Sequence, residues 1–449
     1  MVSRTNAQKF LLSFLFVLPL VNFYLSETFK TGYFFEILIV YFFFVLIPLL
    51  FFKKNLSKGG GLIDISFWTF VYIFFGLSFL TQLYNGELPW IQISQYSEHL
   101  SNVIGIILIG CLTFIIGRYS NNIIHINQRK LILKRVNLLF LFSVLVSIAI
   151  FSILGIEKII FPRSLLIYAI QNDANRILLE LMFVIINTSF FVCLIAYLQF
   201  FKKKLITFNN LIFFIIIMLI IFNPIKTERL IFLMIISILF LYYFNNNKNM
   251  WLSALTLGLA FIFPFADIFR GDSVFESGTF IASYSGYVAN FLTGDYDAPV
   301  SVFLAIEYVN DKSFLYGENI LLAIFGLVPR AIWISKPYVS GLVLTEHANL
   351  FFQNIGVNLW AEFYLAFGYF GVALFFYFLG LVIKSITLSH KKNDFSQAIY
   401  IYLSVFFIFF LRGDLLQVFF KTVPFIFFLY LVTSKKRSEI LSSSPEEVI

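Results

Sequence analysis

Long apolar windows follow one another along almost the whole chain, parted by short polar connections. Twelve of them hold enough apolar residues to cross about 30 Å of hydrocarbon as helices. The first six are Phe10–Leu25, Tyr33–Phe52, Leu62–Leu80, Val103–Gly117, Asn137–Leu154 and Ile177–Phe201. Leu205–Pro224, Leu230–Phe244, Trp251–Ala266, Leu359–Ile383, Ala398–Leu411 and Leu415–Val432 complete the set. Neither hydropathy nor motifs repeat within the chain, which weakens a transporter reading built on duplicated halves. One interval breaks the rhythm: from Arg270 to Gly356, within a loop placed at 268–356, the chain stays out of hydrocarbon. It carries FRGDS at 269–273, GDYDAP at 294–299, PRAIWISKP at 329–337 and TEHAN at 345–349. Its apolar runs, Phe280–Leu292, Val300–Val309 and Ile320–Trp333, are too short or interrupted to span, but long enough for helices at or dipping into the interface. The expected fold is therefore all-α, a polytopic membrane protein of about 12 transmembrane helices. We read a single integral membrane domain over 1–449, with the large loop outside and a cytoplasmic tail at 434–449.

Composition agrees. Of 449 residues, 60% are hydrophobic and only 12% charged, with 62 Phe, which excludes a soluble globular protein. The net charge of +8 arises from small basic clusters at the ends of apolar segments, a topology signal and not a nucleic-acid-binding surface. Cys111 and Cys193 both fall inside apolar segments, so neither a disulfide nor a Cys-based metal site is expected. Phe10–Leu25 follows Arg4 and Lys9 as a signal sequence would, yet no small-residue cleavage site comes after it, and we read it as a retained first span.

Placing the N-terminus in the cytoplasm puts most of the 32 Lys and Arg on the inside. The clusters Lys53, Lys54 and Lys58, Arg118 to Arg135, Lys202 to Lys204, Lys384 to Lys392 and Lys435 to Arg437 all fall there. Both termini are then cytoplasmic and the large loop is extracytoplasmic. Basic residues left on the outside need a reason. Arg229 in NPIKTERL, Arg270 at the start of the loop, Arg330 and Lys336 around PRAIWISKP, and Arg412 in LRGDL all lie near the outer interface. Lipid-linked phosphates lie at the same depth, and a planar guanidinium grips phosphate oxygens bidentately. The plainer alternative is an interfacial anchor, or pairing with a local acid: Glu228 for Arg229, Asp414 for Arg412.

The loop itself is net acidic. Its mixture of carboxylates, Tyr and Trp suits a carbohydrate, with acids to accept hydroxyl protons and aromatic faces to stack on sugar rings. Candidate general bases are His347, Glu346 and Glu362, the last in NLWAEFYLAFG where the chain re-enters the membrane. No HExxH, P-loop or GxSxG occurs, and the first external loop, where Glu27 is the one acid, holds neither a DxD nor an adjacent pair of acids, so metalloprotease, ATPase and serine-hydrolase readings fall away. We expect no metal and no cofactor, since arginines can stabilise a departing diphosphate.

Taken together, KTERL at the outer end of a mid-chain span, PRAIWISKP, the re-entry NIGVNLWAEFYLAFGYFG and LRGD before the last span resemble the bacterial O-antigen polymerase family, the Wzy-type oligosaccharide repeat-unit polymerases. The resemblance implies a GT-C-like glycosyltransferase architecture and an inverting, metal-independent transfer on the outer face of the bacterial inner membrane. A growing glycan leaves its undecaprenyl diphosphate and joins a second lipid-linked repeat unit, so the same class of molecule is donor and acceptor. Implied partners are membrane lipid and a chain-length regulator protein, with no nucleic acid. Carried over, Arg229, Arg330 and Arg412 match the family's external arginines, with Arg270 and His347 as further positions. An O-antigen ligase and a lipid-linked oligosaccharide flippase remain the alternatives.

A reporter fused after Asp295 is expected to be extracytoplasmic, and one fused after Lys203 or Lys392 cytoplasmic. A cytoplasmic signal at Asp295 would reverse the orientation.

Overall fold

The computed structural model describes residues 4–26, 31–57, 60–155, 176–222, 229–262, 288–352 and 355–435. Arg270, FRGDS, the acids and bases of NPIKTE and the tail beyond Lys435 lie outside the described residues, as does the Arg229 side chain. The helices are α1 (Arg4–Leu25), α2 (Phe34–Leu56), α3 (Leu62–Asn85), α4 (Ile93–Tyr119), α5 (Leu133–Leu154) and α6 (Arg176–Lys202). They continue with α7 (Phe208–Ile221), α8 (Arg229–Tyr243), α9 (Lys248–Leu257), α10 (Ala298–Asp311), α11 (Glu318–Phe325) and α12 (Ser340–His347). The last are α13 (Leu359–Ser389), α14 (Asp394–Arg412) and α15 (Leu415–Val432). Two short antiparallel ladders join β1 (Glu87–Leu88) to β2 (Ile91–Gln92), and β3 (Arg129–Leu131) to β4 (Thr433–Lys435). All twelve apolar windows hold a helix, but among the described residues 8 helices are long and apolar enough to cross a membrane, with shorter apolar stretches at Gln8–Tyr24, Phe208–Ile221 and Leu230–Tyr243.

The chain packs as two units. The first comprises residues 1–124, 228–384 and 400–423. Its axis is α3, in which every residue from Leu62 to Tyr84 is buried. A helix apolar on all sides belongs at the centre of a bundle, and several of the polar groups it carries find partners inside. Ser66 Oγ donates to the Ser404 carbonyl and accepts from the Trp251 indole. Asn22 donates to Thr81. At the start of α3, Asp64 takes a bidentate pair of bonds from Arg118 at 2.7 and 2.9 Å and accepts the Gly61 amide. Within α2 and α3 the helix widens to π turns at Tyr41–Leu46 and Val71–Ser78, where Gly76 lies so close to the Phe44 carbonyl that a Cβ there would overlap it.

The window Leu359–Ile383 was expected as one span, but it is not one rod. Phe367 (φ −148°) and Gly368 (φ +61°, ψ −148°) leave helical geometry. Twelve residues of straight helix would separate Phe363 from Phe375 by about 18 Å, yet their rings stack at 3.8 Å, and Trp360 meets Phe376 at 4.2 Å. The chain therefore folds back, and a short first piece lies beside the long second one. A Cβ at Gly371 would strike the Phe363 carbonyl, so the close return requires glycine there. The Trp360 indole donates to Ile107 near the middle of α4, so the short piece starts halfway along the bundle.

The run Val300–Val309, expected as a helix at or dipping into the interface, forms α10, buried throughout from Ala298 to Ile306. Asn358, where the folded-back piece begins, bonds to Ala298 and Ser301, while Leu315, just past α10, donates to the Leu365 carbonyl near the fold-back tip. Part of the large polar interval thus penetrates the first unit.

The second unit comprises residues 125–227, 385–399 and 424–449. Helices α5 and α6 pair through Ser143 to Ser189 and Tyr197 to Asn137. Arg129 bonds to Thr433 and lies over the Tyr430 ring at 3.7 Å, and Lys203 pairs with Asp394 at 2.7 Å. Cys111 in the first unit and Cys193 in the second are free and buried.

Removing one member of a buried ion pair strands the other charge, at a cost of about 3–5 kcal/mol. Arg118→Met is expected to lower the unfolding temperature of the detergent-solubilised protein sharply, and Asp64→Ala combined with Arg118→Met to recover part of that loss. Equal stability of Arg118→Met and wild type would show that the pair carries no weight.

Candidate functional site

A buried polar layer forms in the first unit where three segments far apart in sequence meet: GDYDAP, the re-entry around NLWAE, and LRGD. Asn358 caps the first piece of α13 by accepting from the Ala361 amide, and its own amide donates to the Ala298 carbonyl (2.5 Å) and Ser301 Oγ (2.8 Å). That bond fixes the start of α10 against the start of α13. One turn on is Glu362, 2% exposed. Its Oε2 accepts from Asn319 Nδ2 on α11 and from Ser340 Oγ on α12, both at 2.7 Å, and its Oε1 accepts the Leu415 amide at 3.0 Å. A buried carboxylate needs such donors to offset its lost hydration, and here they come from three elements.

LRGD supplies the other half. Arg412 ends α14 and donates to the Gly294 carbonyl (2.7 Å) and to Asp297 Oδ1 (3.2 and 3.3 Å), with Asp295 at 3.9 Å. Its partners are thus the two acids of GDYDAP and not Asp414, the local acid suggested by sequence. Asp414 instead caps α15, accepting the Gln417 amide. Gln82, deep in α3, clamps the same loop by donating to the Phe291 and Tyr296 carbonyls and to Ser78 Oγ. Gln82 lies just beyond the apolar window Leu62–Leu80, where an amide gives no sign in sequence of the loop it will hold.

The other described candidates make different contacts. His347 ends α12, with Nε2 at 3.3 Å from Asp311 Oδ2 at the end of α10 and its ring edge-on to Tyr308 at 5.3 Å. The imidazole is 15% exposed and Asp311 60%, so an acid orients a histidine that solvent still reaches. Glu346, one residue earlier, is exposed. Arg330 and Lys336 are engaged with their own turn. Arg330 donates to the Lys336 and Pro337 carbonyls and sits 4.5 Å from the Tyr338 ring, and Lys336 donates to the Gly326 and Val328 carbonyls. Burial, and then the nearby Arg330 charge, hold the Lys336 ammonium below its usual pKa. Arg229 is the first residue of α8. Among the described residues, no three His, Cys, Asp or Glu side chains are grouped to hold a metal ion.

Chemically, the layer offers a fixed carboxylate, a guanidinium matched by two acids and several oriented amides. Glu362→Gln is expected to destabilise the protein by about 1–3 kcal/mol, because one carboxamide NH₂ must face a donor, either Leu415 N–H or the Asn319 and Ser340 pair. An unfolding temperature equal to wild type would mean that these bonds do not fasten the layer.

Comparison of the chain with protein-family models, with curated proteins and with solved structures finds no match.

Proposed function

We propose that the protein polymerises undecaprenyl-diphosphate-linked oligosaccharide repeat units into a surface polysaccharide on the outer face of the bacterial inner membrane. The observation that carries this reading is the meeting of two resemblance motifs: NLWAE and LRGD, about fifty residues apart, are joined by the Leu415 amide and Glu362, beside the Arg412–Asp297 pair. In the proposed reaction the acceptor hydroxyl attacks the anomeric carbon of the growing chain on the face opposite the diphosphate. The new glycosidic bond forms with inversion, the carbon–oxygen bond to phosphate breaks, and undecaprenyl diphosphate leaves with the electron pair.

The hydroxyl proton passes to a base. Of the three candidates, His347 has an acid partner and solvent access together, the arrangement that suits a general base, while Glu362 already accepts three hydrogen bonds. Arg229 begins α8, and a helix N-terminus there adds its dipole and free amides to the guanidinium's grip on the leaving diphosphate. Arg270, Arg330, Lys336 and Arg412 complete the proposed basic set around the lipid-linked diphosphate. Membrane lipid and a chain-length regulator are the partners of this reading.

The surface glycan of a deletion strain, run on a gel, tests it. A single repeat unit on lipid A core is expected, and bare core would point instead to ligation or flipping. Arg229→Lys at matched expression is expected to shorten the glycan, because a point charge replaces bidentate contact. A charged hydrogen bond of about 1.5–3 kcal/mol predicts a turnover loss of about ten- to a hundredfold for Arg229→Ala. Normal polymer from Arg229→Lys would make the residue an anchor. Purified protein in lipid is expected to polymerise in excess chelator, and activity restored only by Mg²⁺ or Mn²⁺ would refute the metal-independent route.

A further inference from the structure

The connection between α3 and α4 holds an aromatic residue in a backbone conformation that aromatics avoid. Helix α3 ends on Gly86 at φ +69°, and the chain then makes the two-residue hairpin between β1 and β2, with Pro89 and Trp90 at its corner. Trp90 has φ +66°. Proline followed by a positive-φ residue is the pattern of a type II turn, whose second central position usually belongs to Gly or Asn. A bulky side chain there is strained, and such strain persists where the surroundings enforce it, often at binding sites.

The surroundings are those of the polar layer. The indole lies against Gly294, where a Cβ would overlap it. Gly294 is the residue whose carbonyl accepts from Arg412, and Asp295 follows it. The indole also meets the Phe352 ring, tilted at 4.6 Å, and Phe352 meets Phe351 edge-on at 5.0 Å. Trp90 is 37% exposed and Phe351 87%. Among the described residues no hydrogen bond reaches the indole Nε1, so a donor stands within a partly exposed aromatic cluster.

We propose that Trp90, Phe351 and Phe352 form a platform on which a sugar ring of the lipid-linked glycan stacks. The apolar face of a pyranose suits an aromatic ring, and the indole N–H can donate to a ring hydroxyl. A lipid tail would use the rings but leave the N–H unmatched. This inference rests on the glycan-transfer reading and assigns it a sugar subsite.

The test uses the full-length protein in nanodiscs and, as probe, the free oligosaccharide released by mild acid from the diphosphate-linked lipid pool of the producing cells. Saturation transferred from protein aromatic protons to sugar ring protons is expected for wild type. Trp90→Gly relieves the backbone strain while removing the ring, so it is expected to keep wild-type thermal stability and to bind the probe about tenfold more weakly. Phe351→Ala, at an exposed position, is expected to weaken binding in the same direction. No transfer to wild type overturns the platform, as does transfer that survives both variants unchanged. In the second case the polymerase reading stands. A deletion strain with bare core would overturn that reading and leave the sugar-binding result intact.

Discussion

A guanidinium inside an apolar bundle has to be neutralised where it lies, because the cost of stripping its water is recovered only through close partners. Arg412 meets that demand with Asp297, Asp295 and the Gly294 carbonyl, and the demand organises its neighbourhood. The GDYDAP segment is drawn in to face α14, which starts α10 inside the first unit and lets Asn358 tie α10 to α13. Gln82 fastens the same loop from α3. The turn that follows Arg412 presents the Leu415 amide to Glu362. Two buried charges of opposite sign thus sit on either side of one tight turn, each satisfied by a different part of the chain.

Much of the architecture was legible from hydropathy, since a window of apolar residues of sufficient length has few alternatives to a helix. Each of the twelve windows contains one, although among the described residues 8 are long enough to cross on length and composition. The fold-back at Phe367 and Gly368 was not legible, because glycine is common in apolar spans and nothing in FYLAFGYFG separates a break from a continuous helix. The enclosure of α10 was hidden for a related reason. Val300 to Val309 is too short to cross, and shortness alone does not distinguish an exposed helix from one enclosed by others.

The candidate chemistry was legible by residue type and less so by partner. GDYDAP, NLWAE and LRGD were each visible as motifs, and they do converge. Asp414 was the natural partner for Arg412 by proximity in sequence, but a residue just ahead of a helix is placed to cap it, which is what its bond to Gln417 does. Arg330 and Lys336 illustrate the same limit. Their charge and position were plain, while the backbone carbonyls that hold them depend on the path of the turn.

The fold-back also bears on how this chain can change over generations. A helix turns by about 100° for each residue, so one residue gained or lost between Leu359 and Glu362 would swing the carboxylate away from Asn319, Ser340 and Leu415 together. Length change beyond Gly371 would instead slip the stacked rings of Phe363 and Phe375 out of register. The stretch from Asn358 to Phe376 is therefore closed to insertion and deletion even where individual side chains are free to drift, and divergent descendants should keep its length better than its letters.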